Sequence, residues 1–213
     1  MSNVLILGAA GKIARLATQL FLDRTDDKLT LYLRRANRLT ATDEQREKLI
    51  DGDTIDETKL SAAVKGQDVV YANLAGGNIE AQAKSVVKAM DAANVKRLIW
   101  ISTLGIYDEV PGKFGQWNHQ MLDGGYLETY AAAAKVIEAS DLDYTIVRPA
   151  WLTNTDEIDY ELTQKGEPFK GTEVSRKSIA DLVVKLAQDP TQEVHHSIGV
   201  NKANTDGAKP AWY

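Results

Sequence analysis

The stretch LGAAGKIA (residues 7–14) limits the folds open to this chain more than any other. It follows the apolar run NVLILG (3–8) and opens a helical pattern that continues from about Gly11 to Arg24. Gly8 permits a tight strand-to-helix turn, Gly11 lets backbone N–H groups approach a pyrophosphate at the helix N-terminus, and Ala14 is small enough for helix and sheet to pack closely. Ala9, Ala10, Lys12 and Ile13 fill out the same turn. A tight βα turn without a ligand also uses glycine. At the head of a βαβ unit, however, this spacing predicts a dinucleotide site.

The alternation continues beyond that unit. KLTLYLRR (28–35), EKLIDGD (47–53), DVVYANLAG (68–76) and RLIWIST (97–103) read as strands, with helices near 56–65 and 79–93. Such a rhythm predicts a Rossmann-like three-layer α/β/α fold with a mainly parallel sheet, and 213 residues predict a single NAD(P)-binding domain, 1–213. After Thr103 the rhythm breaks into a glycine-rich stretch (104–126), read as a long irregular loop of the functional kind. A helix over 127–140, the strand DYTIVRPA (143–150), a polar loop, a helix over 176–188 and a strand near 195–201 complete the pattern. Loop 104–126 and segment 150–175 are expected to form the substrate region. The closing TDGAKPAWY reads as a tail whose Trp212 and Tyr213 dock on the body or on a partner.

The end of the second strand selects the dinucleotide. An acidic residue there would hydrogen-bond the ribose 2′-hydroxyl of NAD, but the sequence is LRRANR. Arg34, Arg35 and Arg38 suit the 2′-phosphate of NADP through charge-assisted contacts, and Lys12 is within reach of the same group. The alternative reading is three solvated loop arginines. The spacing therefore favours NADP(H) over NAD(H). Asp53, at the end of the third strand, reads as an acceptor for the adenine amino group or simply as part of a polar turn. Leu74, Ala75 and Gly76, at the end of the fourth, let a cofactor lie against backbone.

Charge and composition narrow the partners. Thirty acidic against twenty-five basic residues leave a net charge of −5, which disfavours nucleic acid. There is no cysteine, and His195 and His196, adjacent in a strand, face opposite ways, so no metal site is expected. The N-terminal MSNVLILG has no basic leader, and no apolar run reaches roughly 20 residues, so a cytoplasmic protein without a membrane span is expected.

LILGAAGKIA (5–14), LYLRRANRL (31–39), NLAGG (73–77), LIWISTLGIYDEVPG (98–112), AKVIEASDLDYTIVRPAWL (134–152) and VSRKSIADLVVKLAQD (174–189) together resemble the atypical short-chain dehydrogenase/reductases. The likeness is to their NAD(P)H-binding, NmrA-like branch, which includes flavin/biliverdin-reductase-like proteins. The resemblance implies bound NADP(H), with Ser102, Pro149 and Trp151 among its cofactor contacts and the substrate site built over the nicotinamide by the loop after Thr103 and the segment after Pro149. It also implies Ser102 or Thr103 orienting a substrate carbonyl and Lys135 holding the nicotinamide ribose. The family tyrosine, four residues before its lysine, falls on Ala131. Tyr130 is five before Lys135, about 140° away round a regular helix, and only a π-bulge would bring the two together.

With that register missing, the sequence favours an NADPH-dependent oxidoreductase acting on a small planar acceptor: a flavin, a quinone or an activated carbonyl. Such acceptors need little help from a protein acid. Tyr107, His119 and Tyr126 are the loop candidates for proton delivery, and Trp117 and Trp151 offer flat faces for an aromatic acceptor. The competing reading is an NADP(H)-sensing regulator with a protein partner and little turnover. Alanines 131–134 also suit close packing on the sheet or on a second subunit's helix in a homodimer. Nucleotide-sugar epimerase or dehydratase chemistry is disfavoured, because it needs the Tyr–Lys register and a larger substrate lobe.

Overall fold

A computed structural model describes residues 1–213. Ten strands and six α-helices alternate along the chain. The first half runs β1 (Asn3–Leu7), α1 (Lys12–Arg24), β2 (Lys28–Leu33), β3 (Glu47–Asp51), α2 (Glu57–Val64), β4 (Val69–Ala72), α3 (Ile79–Ala93) and β5 (Arg97–Ile101). The second runs α4 (Gly112–Leu122), α5 (Tyr126–Glu138), β6 (Asp143–Pro149), β7 (Trp151–Thr153), β8 (Glu161–Gln164), β9 (Glu173–Ser175), α6 (Arg176–Gln188) and β10 (His196–Asn201). Eight strands form one sheet in the order β3-β2-β1-β4-β5-β6-β10-β8. All its pairings are parallel except that of the edge strand β8 with β10.

Continuous apolar strands are what a sheet covered on both faces requires. Val4 and Ile6 of β1 point into one core, shared with Ala17 and Phe21 of α1 and Ile179 and Val183 of α6. Leu5 and Leu7 point into the other, shared with Leu60 of α2, Val86 of α3 and Ile137 of α5. The chain leaves β1 towards β2 and β3, then returns to build β4 and β5 on the opposite side. A crevice therefore opens between the carboxyl ends of β1 and β4, where doubly wound sheets bind ligands.

Two expectations need correction. The stretch 104–126 is not wholly irregular, because α4 occupies Gly112–Leu122 and buries Phe114, Gly115 and Asn118. Its glycines disguised it, yet Gly115 is a packing requirement: a Cβ there would lie 1.9 Å from the Val110 carbonyl oxygen. Segment 150–175 is likewise not a plain loop. It contributes β7 and β9, which pair with each other, and the antiparallel edge strand β8. These strands have three or four residues, too few for an alternating pattern to emerge. No helix is long and apolar enough to cross a membrane.

Candidate functional site

The glycine turn sits where β1 meets α1. Gly8 has φ 76°, and its N–H donates to the Tyr32 carbonyl at 2.9 Å. A Cβ on Gly8 would lie 2.3 Å from the Asn73 carbonyl oxygen, so the turn after β4 closes directly over it. The first intrahelical bond of α1 runs from the Arg15 N–H to the Gly11 carbonyl, and no side chain caps the helix. The N–H groups of Lys12, Ile13 and Ala14 thus remain as donors at a positive helix end, with no acidic residue in the first turn to compete. Chemically, this donor set suits a pyrophosphate.

A cleft of about 300 Å³ opens beside this turn. Gly8, Ala10, Gly11, Arg34, Arg38, Asp53, Leu74 and Ala75 all line it. Arg38 is held by the turn it belongs to, its Nη2 donating to the Arg34 carbonyl at 2.8 Å. Arg34 lies 3.7 Å from Asp53 and remains largely exposed, so its guanidinium is free to meet an anion. Arg35, expected beside them, instead takes a left-handed φ of 57° and is outside the lining, as are Lys12 and Gly76. Ala9 and Ile13 bury their side chains in the core and offer only backbone.

The sequence reading missed the floor of this cleft. The Tyr32 hydroxyl donates to the Asp53 carbonyl at 2.8 Å. Burial, and then Asp56, Asp53 and Asp51, push its pKa up to about 12, so it stays a donor. Gly52 makes room for that phenol, since a Cβ would lie 2.2 Å from the Tyr32 hydroxyl oxygen. Gln82 ties the far wall by accepting from Thr54 Oγ1 at 2.9 Å and donating to the Ala75 carbonyl at 3.2 Å. The proximity of DGD to a strand-end tyrosine was the available signal.

Ser102 and Thr103 are buried just beyond β5. The Ser102 N–H extends the ladder to the Val147 carbonyl at 2.8 Å, while its Oγ has no hydrogen-bond partner. The following loop is held by Glu109, which accepts the N–H groups of Gly105 and Tyr107, both at 3.0 Å, and pairs with the buried Arg148. Pro149, buried at the end of β6, accepts from the Leu104 N–H at 3.2 Å.

Helix α5 keeps Tyr130 and Lys135 on different faces. It is α-helical through all thirteen residues, without a π-bulge. Tyr130 faces the core, buried and stacked on Tyr126 with ring centroids 4.6 Å apart. Burial, followed by Tyr126, raises its pKa, so it is not a poised acid. Lys135 is exposed in the last turn. Glu138, in the same turn, accepts from Tyr107 at 2.6 Å and lines a cavity with Tyr144, His195 and His196. Lys135 itself is outside the lining of the cleft beside the glycine turn.

The loop candidates are also committed. Tyr107 donates to Glu138 at 2.6 Å, and its pKa is raised by burial and then by that bond. His119 bridges Asp123 at 2.9 Å and Asp108 at 3.1 Å, and these bonds raise its pKa. Tyr126 stays partly exposed at the start of α5. Trp117 and Trp151 do come together, with centroids 4.7 Å apart and planes tilted by 54°. The Trp151 indole N–H donates to Asn118 Oδ1 at 2.9 Å, which fixes the pair. His195 and His196 turn to different carboxylates, Asp143 and Glu193.

Known proteins share this fold. A Shigella flexneri Rossmann-fold NAD(P)-binding family protein is 44% identical, with a TM-score of 0.86 over 99% of this chain and 98% of its own. A short-chain dehydrogenase/reductase from Veillonella parvula DSM 2008, crystallised in complex with NADP, is 33% identical, with a TM-score of 0.93 over 99% of both chains. The Bacillus subtilis (strain 168) protein named "Uncharacterized sugar epimerase YhfK" is 26% identical over 202 residues, 90% of each chain. The profile of the NAD(P)H-binding family matches residues 8–190, from the first glycine of the turn to the end of α6. Glycine turn, uncapped helix end and matching profile agree: this chain belongs to the NAD(P)H-binding family.

Proposed function

We propose that the protein is an NADPH-dependent oxidoreductase that passes hydride to a small planar acceptor, a flavin, a quinone or an activated carbonyl. The observation that carries this reading is a well-formed cofactor half of the crevice beside an absent acid–base pair: Arg34 and Arg38 rim the cleft, while Ala131 stands at the tyrosine position and Tyr130 is buried in the core. NADPH supplies the hydride when bound. The uncapped turn of α1 binds the pyrophosphate and the two arginines bind the 2′-phosphate. The unpartnered Ser102 hydroxyl is the donor for an acceptor oxygen, and Trp117 and Trp151 offer the stacking surface. A reduced flavin or quinone takes its proton from solvent, so no protein acid is required. The NADP complex of the Veillonella relative supports the cofactor preference.

The same missing pair favours a second reading, an NADP(H)-sensing regulator with little turnover. It argues against epimerase chemistry, which depends on a positioned acid and base. The test is NADPH oxidation with riboflavin, menadione and aliphatic ketones, together with dissociation constants for NADPH and NADH. Turnover is expected with the first two acceptors, and Arg34→Ala with Arg38→Ala is expected to weaken NADPH about tenfold or more while leaving NADH nearly unchanged. Tight NADPH binding without oxidation by any acceptor supports the regulator. Equal losses for both dinucleotides remove the arginines from 2′-phosphate recognition.

A further inference from the structure

The paired indoles are already covered by a third ring. Tyr213 meets Trp117 at 4.9 Å and Trp151 at 5.5 Å between centroids, edge-on to both at 68° and 83°. The segment leading to it is firmly held. The Thr205 carbonyl accepts the N–H and hydroxyl of Thr172 at 3.1 and 2.7 Å, Lys202 pairs with Glu157 at 2.7 Å, and the Ala211 N–H donates to Glu173 Oε2 at 2.9 Å. Pro210 is buried. Trp212 and Tyr213 are each about half exposed, and the Tyr213 N–H donates to the Pro210 carbonyl at 3.1 Å. A core aromatic would be enclosed. This ring is instead half exposed and meets both indoles edge-on.

We propose that Tyr213 is a built-in occupant of the acceptor subsite: its phenol ring takes the place on Trp117 and Trp151 that the ring of a planar aromatic acceptor takes when it binds, and the acceptor must displace it. This deepens the proposed function and rests on its assignment of the indole pair to the acceptor. Displacement breaks contacts to both indoles but leaves the anchors at Thr205 and Ala211 intact. Asn118 is a positioning residue here, because its Oδ1 sets the plane of Trp151 through the indole N–H. Selectivity follows: an aromatic acceptor can stack on one indole and meet the other edge-on, competing with the phenol, whereas an aliphatic carbonyl has no ring to offer.

The experiment titrates oxidised riboflavin, followed by quenching of its fluorescence, into the protein saturated with NADP⁺, where no turnover takes place. Tyr213→Ala is expected to bind riboflavin about three- to tenfold more tightly, the equivalent of one aromatic pair, while Tyr213→Phe keeps the wild-type affinity. The gain is expected to vanish in a Tyr213→Ala, Trp151→Ala double variant. Tryptophan emission of Tyr213→Ala, measured without riboflavin, is expected to shift to the red as the indoles meet water. Unchanged or weakened riboflavin binding in Tyr213→Ala overturns the proposal, as does an unmoved tryptophan emission. Failure of NADPH oxidation alone counts against the reductase reading and leaves this binding comparison intact.

Discussion

At Gly8 a φ of 76° coincides with an approach that leaves a Cβ only 2.3 Å from backbone, whereas at Gly11 the obstructing atom is the side-chain amide of Asn73 at 2.0 Å. Backbone cannot yield and a side-chain end can. Gly8→Ala is therefore expected to cost about 2–4 kcal/mol of stability from left-handed strain and overpacking together. Gly11→Ala is expected to cost about 1 kcal/mol and to act mainly by weakening dinucleotide binding. Urea denaturation beside an NADPH titration separates the two. Lys135→Ala, on a solvated helix face, is expected to change stability by less than about 0.5 kcal/mol and to leave NADPH affinity unaltered. A large loss of affinity there would restore the family role of that lysine. Both glycines were legible from spacing alone, because close backbone approach demands glycine wherever the turn occurs. The burial of Tyr130 was not, since a position in a motif does not say which helix face meets the core.

The β5–α4 connection depends on two polar devices. Glu109 is the partner of a fully buried Arg148 and the acceptor for two loop N–H groups. Glu109→Ala leaves that guanidinium without its counter-charge and is expected to destabilise by about 3–5 kcal/mol, read from the urea midpoint. His119 holds the end of α4 between Asp108 and Asp123, with its pKa raised in the folded state above the usual 6.5. A raised folded pKa makes this contribution complete below the unfolded pKa and removes it as pH rises through the folded value. The melting-temperature gap between wild type and His119→Gln is therefore expected to be widest on the acid side of 6.5 and to close at higher pH. The bridge is partly exposed, so its worth is below about 1 kcal/mol. Helix α4 itself escaped sequence reading because its glycines and single buried face resemble a loop pattern. Strand–helix alternation elsewhere was plain, since long apolar runs must be covered on both faces.

For the whole molecule, the central strands β1, β4, β5 and β6 carry the two cores, while α4 buries only Phe114, Gly115 and Asn118 and residues 202–213 are mostly exposed. Amide hydrogen exchange is expected to be slowest in those four strands and fastest in α4 and at Trp212 and Tyr213. Slow exchange at Trp212 and Tyr213 would mean that the Tyr213 ring is more firmly held than the displacement proposal allows.

The sequence by itself determined the parallel sheet, the glycine turn and the basic end of β2, because these depend on local periodicity and on short spacings that permit few backbone paths. Only the tertiary structure decided which face of α5 meets the core, that Tyr32 and Gly52 build the floor of the crevice, and that Trp117, Trp151 and Tyr213 meet. These are meetings between residues distant in the chain. They are fixed by how helices and tail close over the sheet, a choice no local pattern encodes.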